Sequence, residues 1–449
     1  WVFKSLWDNG LIYEGYKILP YCPRCATPLS NFEANQGYME VTDPAVTIRF
    51  KAEGEDRTYF VAWTTTPWTL PSNLALAVGP DIDYVKLRDG DACYIMAESR
   101  MGAYYRNEQP EIVARFKGSA LAGRRYEPLF GYFAELGKQG AFQVLAADFV
   151  STEDGSGIVH MAPGFGEDDS AVCRAAGLPE VCPIDEQCCF TAEVPDYAGR
   201  YVKEVDADII ARLKTEGKLI HRGAIKHNYP HCWRDDHPLI YRAISTWFVR
   251  IDEIKEKMIA ANRRIDWFPA HLKDGRFGKW LENARDWAIS RNRFWGTPLP
   301  IWRNAEGEVI VPGSVAELER LTGQKIGDLH KHFIDRLEIP SPSGKSPLTR
   351  VEEVFDCWFE SGSMPYARMH YPFENKEQFE AHFPADFIAE GLDQTRGWFY
   401  TLVVLGSALF DRPPFKNVLV NGLILAENGQ KMSKRLKNYP DPMEVIDNY

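Results

Sequence analysis

No run of about 18 apolar residues occurs anywhere in the 449-residue chain, so the sequence contains no candidate membrane span. No leader with a basic start and a short apolar middle opens it. Cysteine is sparse and badly suited to a disulfide framework. The nine cysteines are an odd number and are scattered, which fits a reducing, cytoplasmic setting. An excess of positive charge is also missing. The formal net charge of −11 argues weakly against nucleic acid as a partner, although basic residues can gather on one face. They are dense from Arg264 to Arg293 and again from Lys431 to Lys437. There is no internal repeat and no low-complexity tract. The first residue is Trp1 rather than methionine, and Trp1 to Trp7 already reads as a helix in progress. Val2, Phe3, Leu6 and Trp7 lie at helical spacing, and Asn9-Gly10 is a stop. Tyr449 interrupts a pattern too, so the chain reads as a piece of something longer.

What remains is a soluble globular composition with 45% hydrophobic, 26% charged and 13% aromatic residues, enough for two or three domains with substantial cores. From about Met39 to His221 the sequence is rich in strand-like runs separated by Gly, Pro and Asp turns. Ala45 to Phe50, Arg57 to Thr66, Asp83 to Leu87 and Gly157 to His160 are examples. This predicts one mainly β domain. Further on, Ala385 to Glu390 and Asn417 to Leu425 read as buried strands with a helix between them at Thr395 to Leu409. That order predicts a strand–helix–strand unit of a parallel sheet. Arg303 to Val351 is dominated by Gly, Pro and charged residues and reads as a surface insertion.

Lys431-Met432-Ser433-Lys434-Arg435 follows an apolar strand and the turn Glu427-Asn428-Gly429. Two lysines around a small hydroxyl residue on such a loop can meet a triphosphate and stabilise charge developing on pyrophosphate. A solvated basic turn is the plainer alternative. Glu390-Gly391-Leu392-Asp393-Gln394-Thr395-Arg396-Gly397-Trp398 closes a predicted strand and opens a helix, the edge at which open α/β sheets bind ligands. Carboxylates there can hold an α-ammonium, and Gln394 can hydrogen-bond an adenylate. An N-capped helix with acidic first-turn residues is the bland reading. Trp358, in Asp356-Cys-Trp-Phe-Glu-Ser-Gly362, and Trp398 could wall an apolar pocket or could be ordinary core.

Lys431 to Arg435 resembles the KMSKS loop of class I aminoacyl-tRNA synthetases, with Arg435 in place of the final serine. The stretch Asn421 to Tyr449 resembles their isoleucine, valine and leucine branch, and Glu390 to Phe399 resembles the signature of the isoleucine–tRNA ligases. Asp286 to Pro300 is another block typical of the branch, assigned to the tRNA-acceptor and catalytic surface. The resemblance covers nearly the whole chain and implies an α/β fold: a class I Rossmann-type parallel-sheet core, interrupted by a β-rich editing (CP1) domain. It implies residues 1–38 as the end of a first catalytic half, 39–222 as the editing domain, 223–270 as a return stem and 271–449 as the second catalytic half, with the insertion at about 303–351.

By the same resemblance the activity is ATP- and Mg2+-dependent ligation of isoleucine to its tRNA through isoleucyl-adenylate. Glu390, Gly391, Asp393 and Gln394 would contact the adenylate, Trp358 and Trp398 would wall the side-chain pocket, and Lys431, Met432, Ser433 and Lys434 would hold ATP. The family's HIGH motif is not in the sequence, so this stretch alone is not expected to activate an amino acid. A monomer and no membrane contact are expected. A valine–tRNA ligase is disfavoured by Asp393-Gln394 and Arg396-Gly-Trp398. A stand-alone deacylase or a noncatalytic tRNA-binding module would not need the adenylate segment and the lysine loop.

An isoleucine pocket cannot exclude valine by size, since one methylene is worth about 1–3 kcal/mol. Isoleucine and valine in this enzyme family are the reference case for that figure, which is a general value and not one obtained from this chain. A second, hydrolytic site is therefore expected. Trp63 to Asn73 (WTTTPWTLPSN) offers successive hydroxyls and turn amides that could hold a ribose and position water, though a β-branched strand ending at Pro67 accounts for the run as well. Together with Gly155 to His160 and Ala162 to Asp169 it resembles the editing domain. Matched position by position, Thr64, Thr65, Thr66, Asn73, His160 and Asp169 fall on the editing pocket, with Asp169 anchoring the α-ammonium and water attacking the ester without a metal. Cys22-x-x-Cys25 and Cys232 flank this region where some relatives carry a four-cysteine zinc knuckle. Asp235 stands at the fourth position. A Cys3Asp zinc site, His231 as an alternative ligand, and a decayed, metal-free knuckle all remain open.

Overall fold

The computed structural model describes residues 1–106, 110–429, 432 and 437–448. The chain divides into two units, one formed by Tyr16–Ser245 and the other by Trp1–Gly15 with Thr246–Tyr449. The β-rich unit is thus continuous in sequence, and it includes the stretches on either side of 39–222.

Tyr16–Ser245 is built on a nine-stranded mixed sheet. Strand Thr58–Thr64 lies inside it and alternates: Phe60, Ala62 and Thr64 face one side, and Tyr59, Val61 and Trp63 the other. Its antiparallel neighbour Tyr38–Lys51 pairs Phe50 with Phe60, Ile48 with Ala62 and Val46 with Thr64. All but Thr64 belong to the main core, and Thr64 is buried as well, so pattern and register agree on which face is covered. On the opposite face a smaller cluster of Val61, Val85, Leu87 and Met96 forms. Strand Ile158–Met161 lies against Thr58–Thr64 in parallel and against Ala75–Val78 antiparallel. Tyr38–Lys51 continues beyond the sheet as a long two-stranded ribbon with Leu219–Pro230, Tyr38 pairing Pro230 and Ala45 pairing Gly223.

In the other unit, strands Asp266–Phe268, Phe415–Asn421 and Ala385–Gly391 make a three-stranded parallel sheet in that spatial order. Helix Trp398–Phe410 connects the last two in space, as the strand–helix–strand reading predicts. It is apolar nearly all round and buried from Phe399 to Ser407. The burial predicted for the strands needs correction. Val418 is buried, but Phe387, Leu419 and Phe268 are exposed, and Leu423 to Leu425 are exposed beyond the strand's end at Asn421. The register sets Leu419 beside Phe268 and Ala389, so these residues share one open sheet face. Residues 303–351 have a core of their own. Four short strands with helix Val315–Thr322 enclose Trp302, Leu318, Ile334, Ile339 and Leu348. No helix among the described residues is long and apolar enough to cross a membrane.

Candidate functional sites

In Tyr16–Ser245, strand Thr58–Thr64 ends at a short 3-10 helix, Pro67–Ser72. The proline at its first position and the preceding threonines turn the chain so that hydroxyls converge on the adjacent strand. Thr66 Oγ1 lies 3.2 Å from both Thr64 Oγ1 and Thr69 Oγ1, and the Thr66 amide donates to Thr64 Oγ1 at 3.1 Å. Thr69 Oγ1 is 2.9 Å from His160 Nε2, and Asn73 Nδ2 is 2.8 Å from His160 Nδ1.

The proton positions in this strip follow from the acceptors. Asn73 Nδ2 also donates to the Ala75 carbonyl, which can only accept, and Tyr126 OH donates to Asn73 Oδ1 at 2.7 Å. The amide nitrogen therefore faces His160, and Nδ1 must accept from it. Burial drives the His160 pKa down to about 3, so the ring is neutral and its one proton sits on Nε2, donated to Thr69 Oγ1. Thr69 in turn donates to the Thr66 carbonyl at 2.8 Å. Both ring nitrogens are thus occupied. His160 holds the strip in place and is no general base.

Asp169 stands in the first turn of helix Glu167–Ala175. Its Oδ2 accepts from the Ala162 amide at 2.8 Å, just past the strand that carries His160. Oδ1 has no protein partner among the described residues, and no cation pairs with the carboxylate. Burial, opposed by the Ala162 amide and assisted by Asp168, pushes its pKa up to about 6. A partly buried carboxylate with one free oxygen and no counter-ion suits an ammonium ligand. Gly166 makes room for it, because a Cβ there would lie 2.6 Å from the carboxylate carbon. The structure therefore joins Thr64, Thr66, Asn73 and His160 in one network, with Asp169 at its strand's end. Thr65 is half-exposed beside it. Thr69 and Tyr126 belong to the network and carry no assignment from sequence. Thr69 lies within the threonine-rich string, whereas nothing in the sequence marks Tyr126.

Cys22, Cys25, Cys232 and Asp235 also come together, their ligand atoms all within 4.8 Å of one another. A tetrahedral zinc with sulfur at 2.3 Å needs sulfurs about 3.8 Å apart, so the donor set and its spacing fit. His231 is outside the group. Its Nδ1 faces the Tyr229 carbonyl at 2.9 Å, which removes it as a ligand through that atom. The neighbouring Cys22 thiol holds the Cys232 pKa below its usual value, while Cys22 is itself raised by Cys232 and by burial.

In the other unit, Gly391 ends a parallel strand, and Asp393 and Gln394 lie on the 3-10 turn Leu392–Arg396 before helix Trp398–Phe410. Glu390 is exposed. Gln394 Oε1 accepts from the Trp398 amide at 2.9 Å at the start of the helix, which orients the side chain and leaves its amino group for a ligand. Trp398 Nε1 donates to the Ser361 carbonyl on the helix that carries Trp358. A Cβ at Gly397 would meet the Trp358 ring at 2.9 Å. The two indoles are thus brought to the same place. Trp358 is held by Asp356, whose Oδ1 accepts from its amide at 3.1 Å. Asp356 is fully buried and pairs with buried Arg291 at 2.9 Å, and Trp287 Nε1 donates to it as well. Of the loop residues, Lys431, Ser433 and Lys434 lie outside the described residues. Met432 is half-buried.

Comparisons with known proteins add a separate line. The family model described as tRNA synthetases class I (I, L, M and V) matches residues 1–449. The isoleucine–tRNA ligase of Bdellovibrio bacteriovorus is 60% identical over 453 residues, which is 100% of this chain and 43% of that protein. That of Treponema denticola is 58% identical, covering 99% of this chain and 44% of its own length. The cytoplasmic isoleucine–tRNA ligase of Mus musculus is 56% identical, covering 100% and 36%. The chain spans less than half the length of these relatives.

Proposed function

The chain belongs to the class I tRNA synthetases of the isoleucine, leucine, methionine and valine group, and from that premise we propose that it is the editing and adenylate-binding portion of a cytoplasmic isoleucine–tRNA ligase. In this reading ATP, with Mg2+, and isoleucine form isoleucyl-adenylate against Glu390, Gly391, Asp393 and the free amino group of Gln394. Trp358 and Trp398 enclose the branched side chain. Lys431, Met432, Ser433 and Lys434 serve the phosphates. In the second site a misattached valine enters beside the threonine strip. Asp169 Oδ1 takes its α-ammonium, Thr64 and Thr65 hold the terminal ribose, and Thr66 and His160 limit the pocket's size and orient the substrate, with Asn73 beside them. Water attacks the ester carbonyl, the acyl–oxygen bond breaks, and free valine and tRNA leave. Cys22, Cys25, Cys232 and Asp235 hold a structural zinc and take no part in the chemistry.

The observation that carries the hydrolytic reading is the Asp169 carboxylate, half-buried and without a counter-ion at the end of the His160 strand. The test is hydrolysis of valyl- and isoleucyl-tRNA by the chain and by two variants. The chain is expected to hydrolyse the valyl ester and spare the isoleucyl ester. Asp169→Asn keeps an acceptor for the Ala162 amide and removes the charge, so it should slow hydrolysis about 10- to 100-fold, the worth of one charged hydrogen bond of about 1.5–3 kcal/mol. Asp169→Ala should abolish it, with an unchanged circular dichroism spectrum. Undiminished hydrolysis by a folded Asp169→Ala overturns the assignment.

A further inference from the structure

On the sheet of Tyr16–Ser245, the side chain of Trp63 points away from the threonine strip, because it alternates with Thr64 along the strand. On that opposite face lies a cavity of about 850 Å3, within the range of ligand sites. Its lining includes Trp63, Arg49, Tyr94, Arg100 and Tyr104. The sites described above use none of these.

Two features define its chemistry. Arg49 lies over the Tyr59 ring at 4.4 Å and donates from Nη1 to Tyr94 OH at 3.1 Å. Arg100 donates from Nε to the Gly155 carbonyl at 2.7 Å and from Nη1 to the Glu153 carbonyl at 2.9 Å. Each guanidinium is half-buried, and neither has a carboxylate partner among the described residues. The lining's acids, Asp89 and Asp154, are exposed, and Asp89 accepts from Tyr105 OH. A guanidinium keeps its charge at any working pH, so two of them withdrawn from water without counter-ions favour an anion. The second feature is aromatic. Trp63 and Tyr104 are half-buried, and Tyr104 OH is tied to Thr47 Oγ1 at 3.2 Å, which limits the ring's freedom. Flat ring faces beside arginines that have no carboxylate partner among the described residues suit a planar base joined to a phosphate.

We propose that this cavity binds an unpaired nucleotide of single-stranded RNA, its base against Trp63 and Tyr104 and its phosphate on Arg49 and Arg100. The choice of RNA over a free nucleotide rests on the synthetase reading above, while the base-and-phosphate chemistry rests on the cavity alone. The site is separate from the hydrolytic strip, being on the other side of the sheet.

The test is fluorescence anisotropy of an end-labelled hexaribonucleotide with the whole chain, with unlabelled AMP and duplex RNA as competitors. The hexamer should bind, AMP should compete weakly, and the duplex should fail to compete. Arg49→Gln and Tyr104→Leu, each checked by thermal melting, should weaken binding at least fivefold, the lower end of one lost base stack or phosphate contact. Arg49→Gln should also reduce the salt dependence of binding by about one counterion. Asp169→Asn should bind the hexamer like the unaltered chain, which separates this result from the hydrolysis assay. AMP competing as well as the hexamer overturns the strand reading. Hexamer affinity unmoved by both cavity variants, or lost in Asp169→Asn, overturns the site.

Discussion

Burial acts on His160 and Asp169 with opposite consequences for charge. His160 loses its proton at every pH above about 3, so it stays a fixed donor and acceptor. Asp169, raised to about 6, changes charge within the working range. Only the ionised carboxylate attracts an ammonium, and it is protonated as pH falls through that value. Hydrolysis of valyl-tRNA, read as kcat/KM, should therefore fall about tenfold per unit well below pH 6, as Asp169 is protonated, and fall again above about pH 8, as the substrate's α-ammonium loses its proton. The residual activity of Asp169→Asn should lack this acid limb. A profile with the same limb in the variant assigns the titration elsewhere. The sequence pointed to the threonine run, Asn73, His160 and Asp169 through a family resemblance, while residue type alone offered only a row of hydroxyls and turn amides. Thr69 and Tyr126 were not legible, because their roles depend on hydrogen bonds that cross 91 and 53 residues of sequence. That His160 is saturated on both nitrogens follows from coordinates alone.

The short helix Cys357–Gly362 shows how one buried ion pair can set the position of an element. Asp356 caps it, receives Trp287 Nε1, and neutralises Arg291, and both charged side chains are almost wholly out of water. Asp356→Ala would leave Arg291 buried and unpaired and the Trp358 amide uncapped. The expected cost is about 3–5 kcal/mol in urea denaturation, with isoleucine binding lost as the Trp358 indole is released. A loss under about 1 kcal/mol would show that the pair does not organise the helix. The element order was readable here from period and punctuation, but burial was not. Ala385–Gly391 has the composition of an inside strand, yet a strand's exposure depends on what lies over it, and Phe387 is open. Residues 303–351 hid their small core for a different reason. Five buried apolar residues suffice for strands of two or three residues, too few to stand out among Gly, Pro and charges.

At the level of the whole molecule, Tyr16–Ser245 is one continuous segment with its own large core. Produced alone, residues 16–245 should unfold in a single cooperative transition, hydrolyse valyl-tRNA and carry one zinc per chain by elemental analysis, with Cys25→Ser removing the metal. A segment that folds without zinc would return the cysteine cluster to a metal-free role, and one that does not fold would make the unit dependent on the rest of the chain. The ribbon bears on how the second unit can form at all. Its two pieces are separated in sequence by the entire inserted segment, and closing so long a gap in a flexible chain carries an entropic penalty about 3 kcal/mol above that of a short connection. Once Tyr38 has zipped against Pro230, most of that penalty has already been met inside the insertion. Loop closure therefore favours an order in which Tyr16–Ser245 condenses before the segments on either side of it are brought together.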